Sequence, residues 1–261
     1  MNKKTLILKI GSSTLTTGSN RISRGKIEDI ARQLVVLQKD YNIAIVSSGA
    51  IATAKHFIDV NKWQLSDSRQ ALSAIGQPIL MQIYNEIFRD FALATAQCLL
   101  TYRDFDNPEA QKNIKNTLSN LFENNFIPII NENDTIAIDE IVFGDNDKLS
   151  AYVANLLDAD LLILASDIDG LFDKNPHKHK DAQLIPAIQN IEQCQNYIDD
   201  LTEENLGTGG MTSKIQAAEI CSRINTNMWI VNGGKNNFIL DSIENKTKHT
   251  RFIFTENDSC D

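Results

Sequence analysis

Two lysines and a group of carboxylates and amides stand out in this chain, because each lies where a short apolar run gives way to small or polar residues. Lys9 sits between Leu8 and Ile10 inside a run of β character and is followed at once by Gly11, Ser12 and Ser13. A lysine so placed faces an edge or a pocket. The Gly-Ser-Ser turn beyond it leaves backbone N–H groups open to an anion, so a phosphate contact fits both facts. An edge-strand lysine that blocks pairing with another chain is the alternative. The second lysine closes the segment Leu206-Gly207-Thr208-Gly209-Gly210-Met211-Thr212-Ser213-Lys214, ahead of a helical pattern with Ile215, Ala218 and Cys221. Glycines before a helix start let the chain fold closely round phosphate oxygens, with helix N-terminal amides turned toward them. Lys214 then falls in the first turn, where a cation opposes the helix dipole unless an anion arrives. The spacing GxxxxGK[ST] is absent and no GxGxxG follows a strand, which disfavours P-loop kinases and dinucleotide enzymes.

A third segment, Phe143-Gly144-Asp145-Asn146-Asp147-Lys148, starts like a calcium loop, but its twelfth position is Leu156 and not glutamate. It reads better as the opening of a helix through Tyr152, Val153, Leu156 and Leu157. A carboxylate there would hold the lysines in place or approach a magnesium ion bound to phosphates. Three more strand ends terminate in Ser47-Ser48-Gly49-Ala50, Asn131-Glu132-Asn133-Asp134 and Ser166-Asp167-Ile168-Asp169-Gly170. Each alone is as well explained by turn formation.

The elements that position these residues follow from periodicity. Runs rich in Ile, Leu and Val at residues 5–10, 43–47, 97–101, 127–131, 161–166 and 227–232 read as strands buried on both faces. Helical patterns lie between them, such as Ile27, Ile30, Ala31, Leu34 with Leu37, and Ile114, Leu118, Leu121 with Phe122. Alternation of this kind predicts an α/β fold with an open, mainly parallel sheet between helical layers, and ligands bind beyond the carboxyl ends of such strands. Gly76 and Pro78 predict that a helix over residues 70–84 is bent or broken. Residues 133–143 break this rhythm, and the stretch Ala137-Ile138-Asp139-Glu140-Ile141-Val142-Phe143 within them reads as a hairpin arm.

Length and composition bound the rest. With 261 residues and 42% hydrophobic content, the chain suits one domain of two lobes over residues 1–255, with a frayed acidic tail at 256–261. A net charge of −9 argues against nucleic-acid and anionic-membrane partners. Cys98, Cys194, Cys221 and Cys260 form no CxxC pair, and Lys9 interrupts the N-terminal apolar run too early for a secretion signal. A cytoplasmic protein with reduced thiols is expected.

Taken in order, Lys9-Ile10-Gly11-Ser12-Ser13, Val46-Ser47-Ser48-Gly49-Ala50-Ile51-Ala52, Asn131-Glu132-Asn133-Asp134, Gly144-Asp145-Asn146-Asp147, Ser166-Asp167-Ile168-Asp169-Gly170-Leu171 and Gly207-Thr208-Gly209-Gly210-Met211 with Lys214 resemble the glutamate 5-kinases of the amino acid kinase superfamily. The resemblance covers nearly the whole chain. It implies ATP-dependent phosphorylation of the γ-carboxylate of L-glutamate, the first step of proline synthesis, with glutamate under the N-terminal lobe and ATP under the C-terminal lobe. By the same resemblance Lys9 and Lys214 contact the transferred phosphoryl group, and Asp145 and Asp147 organise catalysis. Ser48, Asn131, Asp134 and Asn146 would serve glutamate. Ser166, Asp167, Thr208, Gly209, Gly210, Met211, Thr212, Ser213 and Lys214, together with Lys9, would surround ATP, with Mg2+ on its phosphates and no direct protein ligand. A homo-oligomer, feedback inhibition by proline and hand-off to glutamyl phosphate reductase are inherited expectations. Many family members continue into a C-terminal PUA domain, so this chain is read as a short form.

The chemistry agrees with that resemblance. A glutamate carboxylate, with a pKa of about 4.3, is ionised at pH 7, so the nucleophile needs no general base. Two anions must instead be brought together, which calls for cations on the in-line path. The α-ammonium calls for a carboxylate such as Asp134, and the α-carboxylate for neutral donors, read as Ser48 and Asn146. Competing readings are an acetylglutamate, aspartate or uridylate kinase, and a sensor that binds glutamate or proline without turnover.

Overall fold

The structure, a computed structural model, describes residues 3–19, 21–58, 69–137, 146–176, 178–194 and 210–254. Eight strands form one sheet: β1 (Lys4–Ile10), β2 (Tyr41–Ser47), β3 (Ala94–Leu100), β4 (Phe126–Glu132), β5 (Leu161–Ser166), β6 (Ala187–Ile188), β7 (Asn227–Asn232) and β8 (Thr250–Phe252). Their order is β3-β4-β2-β1-β5-β7-β8-β6. Neighbours pair in parallel except β7 with β8, which run antiparallel. The six strands expected from apolar runs are all present, and the open parallel architecture is as expected. The short β6 and β8 lacked enough apolar residues to be read from sequence.

Strand alternation divides the core in two. Leu6, Leu8, Ile10, Ile43 and Ile45 face one side, where Ile27, Ile30 and Leu34 of α2 (Arg24–Leu37) and Leu80 and Tyr84 of α4 (Arg69–Asp90) cover them. Ile7, Val46, Leu162 and Leu164 face the other, beneath Leu149 and Val153 of α6 (Asn146–Leu156) and Ile215 and Ala218 of α7 (Met211–Ser222). Each fully buried aliphatic side chain of this kind stabilises the fold by about 1.5–3 kcal/mol. Lys9, two residues after Ile7 in β1, therefore points to the α6/α7 side. The sequence placed β3 among strands buried on both faces; it is the sheet edge, and Leu99 is exposed there.

Helix starts are set locally. Ser23 caps α2 by accepting from the Lys26 N–H, and Asn107 caps α5 (Pro108–Glu123) by accepting from the N–H groups of Glu109 and Ala110. Of the bend or break expected near Gly76 and Pro78, the break does not occur: α4 is one element of 22 residues with Pro78 inside it. Its packing supplies the reason for the glycine. A Cβ on Gly76 would stand 1.8 Å from the Ala50 carbonyl oxygen of α3 (Ala50–Phe57), so bare backbone is what lets α3 and α4 touch. Gly49 precedes α3 with φ +111°, a left-handed turn that ends β2 and starts the helix within two residues.

Chain order reverses between β1 and β5: strands from the first half of the chain lie on one side of β1, and strands from the second half on the other. The carboxyl ends of β1 and β5 are thus the switch point at which open α/β sheets bind ligands. No helix among the described residues is long and apolar enough to cross a membrane.

Candidate active site at the β1/β5 switch

Three elements meet beyond the switch. Lys9 comes from the end of β1, Asp147 from the first turn of α6 and Lys214 from the first turn of α7. Asp147 is fully buried and lies between the two ammonium groups, with Lys9 Nζ 2.5 Å from one carboxylate oxygen and Lys214 Nζ 3.0 Å from the other. Ser213 Oγ donates to the same oxygen as Lys214, at 3.0 Å. Burial pushes the Asp147 carboxyl upward, but the two ammonium charges outweigh it and hold the pKa at about 2. A carboxylate in the first turn of α6 also suits that helix dipole. Lys214 therefore does not wait for a ligand to supply its anion: Asp147 already opposes it.

Among the described residues, two ammonium groups meet on one carboxylate beside two helix N-termini, in a chain whose total is −9. Such a concentration of positive charge attracts and orients a polyanion. Gly11 lies against it, since a Cβ there would sit 3.5 Å from Lys9 Nζ. Ser166, at the end of β5, donates to Asp167 at 3.2 Å, and its backbone oxygen accepts from the Gly233 N–H at 2.8 Å. Asp167 is exposed. Gly210, Met211, Thr212 and Ser213 open α7 next to Lys214. Asp145, Thr208 and Gly209, and most of the expected hairpin arm, lie outside the described residues.

The amides form a second cluster. Asn146 Nδ2 donates to Ser48 Oγ at 2.8 Å, to Asn131 Oδ1 at 2.9 Å and to the Ser47 carbonyl oxygen at 3.2 Å. Asn131 Nδ2 in turn donates to Gln77 Oε1 of α4 at 2.8 Å. Asp134 accepts from Ser73 Oγ, also on α4, at 2.7 Å. Burial raises the Asp134 pKa, opposed by that hydrogen bond and by the charge of Arg69. Ser48, Asn131 and Asn146 thus share one hydrogen-bond network, with Asn146 next in chain to Asp147, while Asp134 is held separately by Ser73 on the same helix, α4, that supplies Gln77.

The hydrogen bonds bear on the role expected of Asn146. Asn146 was read as a donor to a carboxylate, yet its amide hydrogens are already engaged by three oxygens of the protein. What it has left is Oδ1, an acceptor.

Ser73 and Gln77 were missed. The signal was available: they are polar residues four apart on an otherwise apolar helix face, which places them one above the other toward the core. Asp169 was noted only as part of a motif, but it accepts from Asn232 Nδ2 at 2.9 Å and pairs with Lys235 at 2.6 Å, tying the β5 and β7 ends together.

The sequence profile described as the Amino acid kinase family matches residues 4–232. A glutamate 5-kinase of Helicobacter hepaticus is 39% identical over 259 residues, covering 99% of this chain and 97% of that protein. One from Haemophilus influenzae is 41% identical over 262 residues, covering 99% of this chain and 71% of its own length. Among solved structures, UMP kinase from Ureaplasma parvum superposes with a TM-score of 0.66 at 19% identity, covering 97% of this chain and 100% of its own. Carbamate kinase from Giardia lamblia gives 0.69 at 18% identity, covering 97% and 99%. At that identity the two structures speak for the fold alone.

Proposed function

The chain belongs to the amino acid kinase family, in its glutamate 5-kinase branch, and on that premise we propose that it transfers the γ-phosphoryl group of ATP to the side-chain carboxylate of L-glutamate, giving L-glutamyl 5-phosphate for proline synthesis. The observation that carries the reading is the Lys9–Asp147–Lys214 arrangement at the sheet's switch point.

In the proposed reaction the ionised γ-carboxylate attacks the γ-phosphorus in line, the bond to the β–γ bridging oxygen breaks, and ADP leaves. Lys9 and Lys214 neutralise charge on the transferring group, and Asp147 fixes both ammonium groups before substrate arrives. Preorganised charge of this kind lowers the barrier without reorganisation at the moment of transfer. Ser166, Asp167 and the residues opening α7 hold the nucleotide, with Thr208 and Gly209 extending that loop. Mg2+ enters on the ATP phosphates. Asp145 shares the organising role with Asp147, and Asp134, Ser48, Asn131 and Asn146 hold glutamate. A homo-oligomer, proline feedback and transfer of the product to a reductase remain part of the proposal, supported by the branch to which the chain belongs.

The test is ADP release at saturating Mg-ATP with and without L-glutamate. Glutamate-dependent turnover supports kinase action, whereas saturable glutamate binding without ADP release would replace it with a sensor. Asp134→Asn should raise KM for glutamate and leave KM for ATP nearly unchanged, since the nucleotide site lies across the switch.

A further inference from the structure

The amide network has a direction, and that direction assigns a residue nothing above uses. A backbone N–H is only ever a donor, so the Glu132 N–H, 2.9 Å from Asn131 Oδ1, fixes that side-chain atom as the carbonyl. Asn131 Nδ2 must then face Gln77, which presents Oε1 to it. At the other end the Ser47 backbone oxygen is only ever an acceptor, so the atom of Asn146 facing it is Nδ2. Two backbone groups thus lock the orientation of three side-chain amides that come from α4, β4 and α6.

The same locking leaves an atom over at each end. Asn146 Oδ1 and Gln77 Nε2 are buried and have no hydrogen-bond partner among the described residues. An unpaired buried polar atom is costly unless something pairs with it, and here one end is an acceptor and the other a donor. Glutamate at neutral pH has a single donor group, the α-ammonium, while both its carboxylates are acceptors. A buried acceptor left unpaired in this cluster therefore matches the ammonium and neither carboxylate.

We propose that Gln77 is a positioning residue for amino-acid recognition: by holding Asn131, it keeps Asn146 turned so that Oδ1 accepts from the α-ammonium of the substrate, beside Asp134. This rests on the glutamate reading above. Ser73, one helical turn before Gln77 on α4, holds Asp134 in the same way, so one face of α4 sets both acceptors for the ammonium.

The experiment compares glutamate with glutarate, which has the same two carboxylates and no amino group, by calorimetric titration of the full chain. Gln77→Met removes the amide oxygen at similar length, and Gln77→Glu keeps an acceptor for Asn131. Gln77→Met should reduce the preference for glutamate over glutarate by roughly tenfold, the size expected for a hydrogen bond to a charged group. Gln77→Glu should restore most of it. A merely structural role would weaken both ligands together and leave the ratio unmoved. Where wild-type glutarate binding is too weak to measure, loss of glutamate affinity in Gln77→Met with recovery in Gln77→Glu is the expected result. An unchanged ratio, unchanged glutamate affinity in Gln77→Met, or no recovery in Gln77→Glu overturns the proposal. Failure of wild type to phosphorylate glutamate would instead sink the underlying reading, so the two failures are separable.

Discussion

On the proposed mechanism, Asp147 and its two lysines make different demands on activity and on stability. Lys214 should matter chiefly in the transition state, where charge on the transferring group is greatest. Lys214→Ala should therefore lower kcat by about 10²–10³ while changing glutamate affinity little, as steady-state kinetics paired with glutamate titration will show. Asp147 has a folded pKa of about 2 against an ordinary value of 3.8. A depressed carboxyl stabilises the fold fully above its unfolded value and loses that contribution as pH falls through the folded one. Urea unfolding of wild type should thus weaken between about pH 4 and pH 2, and Asp147→Asn should lose that part of the slope. Asp134 behaves oppositely, because burial raises it. Its ionised form is the one an ammonium needs, so Asp134 should add to the acid limb of kcat/KM for glutamate a group that titrates above 3.8, its ordinary value, and Asp134→Asn should leave only the limb set by the substrate's own carboxylate, at about 4.3. Much of this was legible in sequence: Lys9 inside an apolar run and Lys214 after three glycines are anomalies that ask for an anion. What was not legible is direction. Sequence gives Asn146 both a donor and an acceptor, and only the hydrogen bonds to Ser47, Ser48 and Asn131 show which one remains.

At the scale of elements, strands were easier to read than helices. β5 and β7 match their apolar runs residue for residue because both are buried in a parallel sheet, where a continuous run is the signature. β3 resembled them in composition, but edge position depends on strand order, which local sequence does not encode. A break in α4 was expected because Gly76 and Pro78 are locally unfavourable in helices, while tertiary contact decides the outcome. α3 packs against the glycine, and the helix continues through the proline to Asp90. Gly76→Ala should consequently destabilise the protein although alanine is the better helix former. The new methyl meets the α3 backbone at Ala50 and Ala54, and overpacking of this kind costs about 1–3 kcal/mol. Thermal unfolding should show a melting point lower by several degrees; an equal or higher one would mean that α3 yields freely.

At the scale of the whole molecule, the two halves are one sheet. β1 pairs with β2 along seven residues and with β5 along five, so the strands proposed to carry glutamate-side and nucleotide-side residues share a central strand. Unfolding followed by circular dichroism and by tryptophan fluorescence should accordingly coincide in one transition, and separated midpoints would show the halves to be independent. On the proposed function, phosphoryl transfer falls between the halves, where a chain of overall negative charge brings Lys9 and Lys214 together around Asp147. The most direct test of that centre is chemical. Turnover with Mg-ATP in the presence of hydroxylamine traps an acyl phosphate as a hydroxamate, and mass spectrometry locates it. Glutamate should give the γ-hydroxamate in step with ADP, and N-acetylglutamate should give almost none, because acetylation removes the cation that Asp134 and Asn146 are proposed to receive. ADP without hydroxamate, or equal trapping from N-acetylglutamate, would contradict phosphorylation of the free amino acid.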